Sequence, residues 1–396
     1  AESQRINLRA IYMNKRIFIS AGEVSGDLQG SLLVSQIKKL DPSIEFYGFG
    51  GRFLEDASVK IIHDFTHRSS VGFIESIPYI FDHYSIMRNF IEYLKKEENR
   101  PALCILIDNQ GFNLELGKRL KKLNIPTVYY FPPPISIWGK FNAKKIVKSI
   151  DYFLVPFFAD YQEYLKYTEK VYFFGHPFFD KEYLEEKLQE KPPENAYYDS
   201  YYFMLPGSRM QEISTLLPMF LEVADYIYKK YSISAYLPVA NMQFEPYIRE
   251  MVGGRKHVMM LDKCYYSLYK NARFALMASG SATLEALLLN IPHIICYKVS
   301  ALTFFIGKLM VKTNHVGMSN ILAGEEIAPE LLQGKCNVKE MEKRVEQLFD
   351  PEFRLNIVQK LSRVSSELSG INKSSSLVNY AKTILDILQK LDEKKE

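Results

Sequence analysis

The sequence predicts an α/β protein built from two doubly wound parallel sheets, and three observations support this prediction. Short apolar runs end in Gly, Ser, Asp or Asn and are followed by residues at helical spacing, which is the pattern of a parallel sheet covered by helices. This alternation occurs in two sets, separated by a stretch rich in Pro and Glu at residues 185–195 that is typical of a linker. A chain of 396 residues, 47% of them hydrophobic, is long enough for two domains with separate cores.

Six apolar runs are predicted to be strands. They are residues 17–20, 102–107, 127–131 and 171–174 in the first half, and 201–205 and 274–277 in the second. The third run stops at three consecutive prolines, which cannot donate hydrogen bonds to a central strand. Helical spacing returns between 338 and 391, where charged and apolar residues alternate.

These patterns divide the chain into four parts. We expect residues 1–14 to be a loose segment, 15–184 to form one Rossmann-like domain and 185–370 to form a second. Residues 371–396 are expected to form a helical tail that packs back on the first domain or on a second subunit, so a homodimer is possible.

Composition excludes several classes of protein. Fifty Lys and Arg against 46 Asp and Glu give a net charge of +4, an excess too small to indicate a nucleic-acid partner. The four cysteines are far apart without CxxC spacing, so we expect them to be reduced core residues. Because no run approaches the roughly 18 apolar residues of a membrane span, and no signal peptide is evident, we expect a cytoplasmic protein.

Clusters of Gly and polar residues recur just after a strand and just before a helix. In a doubly wound sheet these positions share one edge, where ligands bind. With one such sheet in each half, both polar edges can face a common cleft. The sequence therefore favours an enzyme that joins two substrates.

The second half offers candidates for binding a nucleotide diphosphate. Four residues at a predicted helix start are Ser279, Gly280, Ser281 and Thr283. Their backbone N–H groups and hydroxyls suit a phosphate, although the same residues can simply cap the helix. Glu285 could accept hydrogen bonds from ribose hydroxyls or be solvated. Arg209, in Leu-Pro-Gly-Ser-Arg, could hold the diphosphate through its planar fork or lie at the surface. Neither Gly-x-Gly-x-x-Gly nor the P-loop pattern occurs, which argues against dehydrogenases and P-loop hydrolases.

The first half offers a candidate general base. Asp108 directly follows the buried run 102–107, so its carboxylate could take a proton from an attacking hydroxyl or cap the next helix. Glu23 and Asp27 flank Ser25 on a neighbouring loop and could play the same part. His176, after Gly175, could contact substrate or be structural.

An apolar run in the second half raises the question of a membrane surface. It contains Leu302, Phe304, Phe305 and Leu309, with lysines at 298, 308 and 312. Such a segment could enter the bilayer interface or meet an acyl chain while the lysines meet lipid phosphates. Packing in a protein core is the alternative.

Seven motifs in order between residues 17 and 333 carry a family resemblance. They are Ala-Gly-Glu-Val-Ser-Gly-Asp at 21–27, Gly-Phe-Ile-Glu at 72–75, Ile-Asp at 107–108 with Phe-Asn at 112–113, Gly-His-Pro at 175–177, Leu-Pro-Gly-Ser-Arg at 205–209, residues 278–285, and Asn-Ile-Leu-Ala-Gly at 320–324. Together they resemble the lipid-A-disaccharide synthases, which belong to glycosyltransferase family 19.

The resemblance implies an inverting glycosyltransferase of the two-lobed GT-B fold that needs neither metal nor cofactor. It would join UDP-2,3-diacylglucosamine to 2,3-diacylglucosamine 1-phosphate, giving a β-1,6-linked disaccharide 1-phosphate and UDP. The first domain would hold the acylated acceptor and the second the UDP-sugar, with the protein on the inner face of the cytoplasmic membrane.

The resemblance also implies roles for single residues. Asp108 would be the base for the acceptor 6-hydroxyl, while Arg209, residues 279–283 and Glu285 would hold UDP. The residues expected to line the cleft are Glu23, Ser25, Asp27 and Asn320.

The sequence departs from the family pattern in the half expected to hold the acceptor. Asn109, Gln110 and Gly111 replace Ala-Pro-Asp after Asp108, and a single Trp, Trp138, remains where the family has Trp-Ala-Trp-Arg. These changes leave two other hypotheses open: a non-catalytic relative that binds a UDP-sugar or lipid, and a UDP-N-acetylglucosamine epimerase of the same architecture.

Overall fold

The structure is a computed structural model that describes residues 16–65, 77–138, 143–196, 198–300, 304, 313–371 and 374–393. The expectations for residues 1–14 and for Leu302, Phe305 and Leu309 lie outside these residues. The described chain divides into two compact units. One contains residues 16–65, 77–138, 143–177 and 374–393, and the other contains 178–196, 198–300, 304 and 313–371.

Within the described residues, the first unit is built on a sheet of seven parallel strands. They are β1 (Arg16–Ala21), β2 (Glu45–Gly50), β3 (Lys60–Asp64), β4 (Leu103–Ile107), β5 (Thr127–Tyr130), β6 (Tyr152–Val155) and β7 (Val171–Phe173). Their order in the sheet is β3-β2-β1-β4-β5-β6-β7. The direction of winding therefore reverses between β1 and β4, which makes this the expected ligand-binding point of the sheet.

The second unit repeats the plan with six parallel strands among its described residues. They are β8 (Tyr201–Leu205), β9 (Ser234–Pro238), β10 (Val258–Leu261), β11 (Ala275–Ala278), β12 (His293–Tyr297) and β13 (Glu330–Leu332). Their order is β10-β9-β8-β11-β12-β13, so the winding reverses between β8 and β11. The predicted α/β fold of two doubly wound parallel sheets is confirmed.

The helices connect these strands along the chain. They are α1 (Val24–Leu40), α2 (Arg52–Asp56), α3 (Ile77–Leu94), α4 (Gln110–Lys122), α5 (Ile135–Trp138), α6 (Ala143–Ser149), α7 (Phe158–Leu165), α8 (Lys181–Gln189), α9 (Met210–Tyr231), α10 (Glu245–Val252), α11 (Tyr266–Tyr269), α12 (Ala282–Leu288), α13 (Met318–Ala323), α14 (Val338–Phe349), α15 (Pro351–Ile371) and α16 (Ser376–Glu393).

Side chains of the first sheet are buried on both faces, as a helix-covered parallel sheet requires. In β1, Phe18 joins one apolar cluster while Ile17 and Ile19 join the other. Because successive side chains of a strand point to opposite faces, one strand anchors both layers. The last helix, α16, packs against α1 and contributes Tyr380 to the second of these clusters.

The stretch expected to be a linker is partly helical. Helix α8 covers residues 181–189, and its Tyr183 is buried and stacks on Phe178. Glu190, just after the helix, forms ion pairs with Lys187 and Lys263. These contacts place residues 178–196 within the second unit, so composition rich in Pro and Glu does not mark a free linker here.

Candidate active site

Two sequence-predicted regions of the first unit meet where β1 and β4 lie side by side. Ala21 is paired in register with Ile107, so the loop after β1 and Asp108 after β4 emerge together. A Cβ atom on Gly26 would lie 3.5 Å from the Asp108 Cβ. A Cβ atom on Gly22 would lie only 1.9 Å from the Asn109 Nδ2, so this close approach requires glycine. Half-buried Glu23 and Ser25 belong to the same segment, Glu23 just before α1 and Ser25 in its first turn.

The backbone at Asp108 is unusual. Asp108 has φ 48° and Asn109 has φ 43°, so two successive non-glycine residues adopt the left-handed conformation. The carbonyl oxygen of Asp108 accepts hydrogen bonds from the Tyr129 hydroxyl at 2.6 Å and from Asn113 Nδ2 at 3.0 Å. Tyr129 lies on β5. The sequence analysis did not select it, because its hydroxyl binds a backbone atom and no local sequence pattern marks such a contact.

Asp27 lies next to this loop, but its carboxylate serves the backbone. Its side chain is buried, and its two oxygens accept hydrogen bonds from the Gly51 N–H at 2.7 Å and the Phe53 N–H at 2.8 Å. Burial raises the pKa of Asp27 to about 6 although these hydrogen bonds oppose the shift. The structure thus places Asp27 as the cap of α2.

In the second unit, the motif with Arg209 forms the turn between β8 and α9. Gly207 has φ 117°, and a Cβ atom there would lie 2.2 Å from a carboxylate oxygen of Glu212. The same carboxylate accepts a hydrogen bond from the Ser208 N–H and pairs with Arg209 at 3.1 Å. The turn is therefore built around Glu212, a residue that the sequence analysis did not select.

The loop from β11 to α12 divides into an exposed part and a buried support. Gly280 and Ser281 are exposed, whereas Thr283 is fully buried. The Thr283 hydroxyl donates to the Gly280 carbonyl at 2.7 Å and accepts from the Met318 N–H at 3.0 Å. Ser279 donates its hydroxyl to the Val316 carbonyl at 2.7 Å. Gly280 and Ser281 are thus accessible to solvent, and the hydrogen bonds of Thr283 fix the loop that carries them.

Glu285, one turn into α12, is held by a buried tyrosine. The Tyr266 hydroxyl donates to a Glu285 carboxylate oxygen at 2.7 Å. Burial raises the pKa of Glu285, and the Tyr266 hydrogen bond and the Lys187 charge oppose that shift. One oxygen of the carboxylate is thereby fixed in direction.

Asn320 is fully buried and serves the internal structure of the second unit. Its amide nitrogen donates to the Ala328 carbonyl and to Glu330, each at 2.8 Å. Its oxygen accepts from the backbone N–H groups of Ile327 and Ala328. Glu330 also accepts from the Val316 and Gly317 N–H groups, so Asn320 and Glu330 fix the loop that receives the Ser279 hydroxyl.

A cavity of about 350 Å³ lies in the second unit beside the start of α9 and the ends of β11 and β12. Ser279 lines it, as the sequence analysis anticipated for a ligand site. Gln211, Thr215 and Lys298 also line it; Gln211 and Thr215 were not predicted as ligand-binding residues, and Lys298 was considered only as a contact for lipid phosphates. Lys298 directly follows β12, and ligands of parallel sheets bind just after the strands. The sequence analysis did not recognise residues 293–297 as a strand, so it did not apply this rule to Lys298.

Two remaining candidates, His176 and Phe304, also lie among the described residues. His176 is buried between the rings of Phe131 and Phe157, and burial lowers its pKa to about 3, so it is neutral and internal. Phe304 is half-buried, and its N–H donates to the Ser300 carbonyl at 3.0 Å.

Two classes of feature are absent from the described part of the chain. No helix there is long and apolar enough to cross a bilayer. No group of three or more His, Cys, Asp or Glu side chains there could hold a metal ion.

Comparison with known proteins decides between the hypotheses. A family described as lipid-A-disaccharide synthetase matches residues 17–383. The lipid-A-disaccharide synthase of Persephonella marina is 33% identical over 92% of this chain and 98% of its own length. That of Francisella philomiragia is 31% identical over 96% of this chain and 100% of its own. The chain belongs to the lipid-A-disaccharide synthetase family.

Solved structures agree with this fold. The UDP complex of S. aureus MnaA superposes with a TM-score of 0.62 at 14% identity, covering 95% of this chain and 97% of that one. The Neisseria meningitidis UDP-GlcNAc 2-epimerase bound to UDP-GlcNAc gives 0.61 at 12% identity, covering 95% and 100%. The spinosyn rhamnosyltransferase SpnG with its aglycone gives 0.56 at 11% identity, covering 93% and 100%. These likenesses support the GT-B fold class, whereas family membership favours the glycosyltransferase hypothesis over the epimerase and the non-catalytic relative.

Proposed function

We propose that this chain transfers a diacylglucosamine group from UDP-2,3-diacylglucosamine to O6 of 2,3-diacylglucosamine 1-phosphate, releasing UDP. The observation that carries the proposal is that each sheet has its family motifs at the point where its winding reverses. Asp108 and residues 21–27, which join the end of β1 to the start of α1, occupy that point in the first unit. Arg209 and the 279–281 loop occupy it in the second.

The chemistry assigned to the first unit is proton removal. As the acceptor 6-hydroxyl attacks the anomeric carbon, its proton passes to the Asp108 carboxylate while the bond from that carbon to the UDP oxygen breaks. Attack from the face opposite the leaving UDP inverts the anomeric centre. Glu23 lies just before α1 and Ser25 lies in its first turn, next to Gly26, whose Cβ position is 3.5 Å from the Asp108 Cβ; both are proposed to orient the acceptor sugar.

The chemistry assigned to the second unit is stabilisation of the leaving diphosphate. Arg209 supplies a permanent positive charge, and the exposed loop at Gly280 and Ser281 supplies short, unhindered polar groups. Glu285 is proposed to accept hydrogen bonds from the ribose hydroxyls, with Tyr266 holding its other oxygen. Thr283 and Asn320 are proposed to act from within, because both are buried and hydrogen-bonded to the protein.

Replacement of the base tests this proposal. Asp108→Ala should lower the rate of UDP release by about 100-fold or more, since it removes the group that accepts the proton, while UDP affinity stays within about twofold. Asp56→Ala, which removes an exposed carboxylate of the same unit, is the matched control and should keep the full rate. An Asp108→Ala variant with the wild-type rate would contradict the role of Asp108.

An incubation with radiolabelled UDP-sugar separates the competing activities. The proposed transferase releases UDP only when the acylated acceptor phosphate is present. An epimerase converts the sugar without acceptor, and a non-catalytic relative binds UDP but converts nothing. Either of these last two results would overturn the proposal.

We also propose that the enzyme meets its acylated substrates at the inner face of the cytoplasmic membrane through the apolar, lysine-flanked segment 302–312. Three lysines in and beside that segment would meet anionic lipid phosphates. Co-sedimentation with anionic vesicles at low salt should be observed and should weaken as salt rises. Protein that stays in the supernatant at low salt would exclude this surface contact.

A further inference from the structure

The loop that presents Asp108 has a backbone conformation that needs support. Asp108 and Asn109 both have positive φ, 48° and 43°. Asp and Asn tolerate the left-handed region better than most residues, but normally as single positions. Two in succession turn the peptide group between them away from its usual direction, so the surrounding structure must hold it.

The Tyr129 hydroxyl supplies that support. Tyr129 is fully buried on β5, paired in register with Leu106 of β4, and its hydroxyl donates to the Asp108 carbonyl oxygen at 2.6 Å. The ring is fixed in the apolar cluster that also contains Phe18 and Leu116. A rigid ring and a short hydrogen bond thus determine where the peptide group after Asp108 points.

Asn113 acts on the same carbonyl from the other side. Its amide nitrogen donates to the carbonyl oxygens of Asp108 and Ile107, both at 3.0 Å, and its oxygen accepts from the Ser20 hydroxyl at 2.7 Å. Asn113 is fully buried, so these contacts are not shared with water. The Asp108 carbonyl therefore receives two fixed hydrogen bonds, one from a strand and one from a helix.

We infer that Tyr129 is a positioning residue for the transfer reaction, which sets the direction of the Asp108 carboxylate by holding its backbone in the left-handed conformation. This inference rests on the proposed role of Asp108 as the base. Tyr129 itself is not proposed to exchange a proton with substrate.

The decisive variant is Tyr129→Phe, which keeps the ring and removes the hydroxyl. Because a small displacement of a catalytic group is costly, kcat should fall by about tenfold or more, while KM for the UDP-sugar stays within about twofold. In a crystal structure of this variant, φ of Asp108 or Asn109 should leave the left-handed region.

Tyr164→Phe is the matched control. Tyr164 is fully buried in the same apolar cluster, and its hydroxyl donates to the Pro133 carbonyl at 2.8 Å. Each variant loses one hydrogen bond from a buried tyrosine to a backbone carbonyl, so both should show a similar loss of thermal stability. Only Tyr129→Phe should lose kcat, which a merely structural role would not predict.

The outcomes separate this inference from the proposed function. If Asp108→Ala is inactive but Tyr129→Phe keeps the kcat of Tyr164→Phe, the positioning role is overturned and the base remains. Unchanged left-handed φ values in Tyr129→Phe would overturn it as well. If Asp108→Ala keeps its rate, or the wild type does not turn over, the proposed function fails and the inference fails with it.

Discussion

At the scale of single residues, the buried carboxylate of Asp27 makes stability depend on pH. Burial raises its pKa from an ordinary value of 3.8 to about 6 in the folded protein. Between these two values the folded state binds more protons than the unfolded state, so the free energy of unfolding decreases as pH rises. A shift of this size corresponds to about 2.5 kcal/mol between pH 4 and pH 7.

Asp27→Asn tests this dependence because asparagine does not titrate. The free energy of unfolding of wild type minus that of Asp27→Asn should decrease by about 2.5 kcal/mol from pH 4 to pH 7. Urea denaturation at several pH values measures it. Burial lowers the pKa of His293 to about 4, so that residue acts in the opposite sense, but it is common to both proteins and cancels in the difference. Parallel curves for the two proteins would show that Asp27 keeps an ordinary pKa.

At the scale of secondary structure elements, the short helix α11 fixes the carboxylate that α12 presents. Tyr266 donates to Glu285, and Tyr183 of α8 hydrogen-bonds with Tyr266 in turn. Helices α8, α11 and α12 of the second unit thus together fix the direction of the Glu285 carboxylate. The proposed contact with the ribose depends on this arrangement. One Glu285 oxygen accepts the hydrogen bond from Tyr266, and the other oxygen is the one proposed to bind the ribose hydroxyls.

Tyr266→Phe should raise KM for the UDP-sugar by about tenfold while kcat changes less, because a hydrogen bond to a charged group is lost at the nucleotide and not at the reacting bond. Steady-state kinetics with varied donor measures this. Tyr269→Phe is the control: Tyr269 lies on the same helix, is fully buried, and its hydroxyl has no hydrogen-bond partner among the described residues. Equal KM values for the two variants would remove Tyr266 from the donor site.

At the scale of the whole molecule, local sequence patterns predicted the fold class and six of the thirteen strands that the described residues form. Asp108, Arg209 and Ser279 were selected as candidates because each follows an apolar run and precedes a helix. Such patterns depend on neighbours in the chain, so they located positions without specifying which atoms meet. Family motifs then separated these positions from ordinary helix caps.

Contacts between distant residues could not be predicted in this way. Tyr129 is 21 residues from the Asp108 carbonyl that it binds, and Asp27 is 24 residues from the Gly51 N–H that it caps. No local spacing reports such pairs. Helix α8 was missed for a related reason, because burial of Tyr183 in the tertiary structure outweighs the Pro and Glu content of the segment that follows.

The chain closes the first unit with its last helix, and Tyr380 makes the connection. This residue of α16 is fully buried, and its single hydroxyl proton is shared between the Val155 carbonyl at 2.6 Å and the Gly175 carbonyl at 2.9 Å. It also accepts from the Phe174 N–H at 3.3 Å. One hydroxyl thus links α16 to the ends of β6 and β7, beside the Gly-His-Pro motif.

Tyr380→Phe should therefore loosen the first unit and leave the second unchanged. Loss of hydrogen bonds to two buried carbonyls should cost about 2 kcal/mol, because those oxygens are left without this partner. Hydrogen exchange followed by mass spectrometry should show faster exchange at residues 171–177 and along α16, with β8 and β11 unaffected. Tyr269→Phe, which removes from the second unit a buried hydroxyl that has no hydrogen-bond partner in the described part of the chain, should leave exchange in the first unit at the wild-type rate. Faster exchange spread equally over both units would mean that α16 stabilises the whole chain rather than closing one sheet.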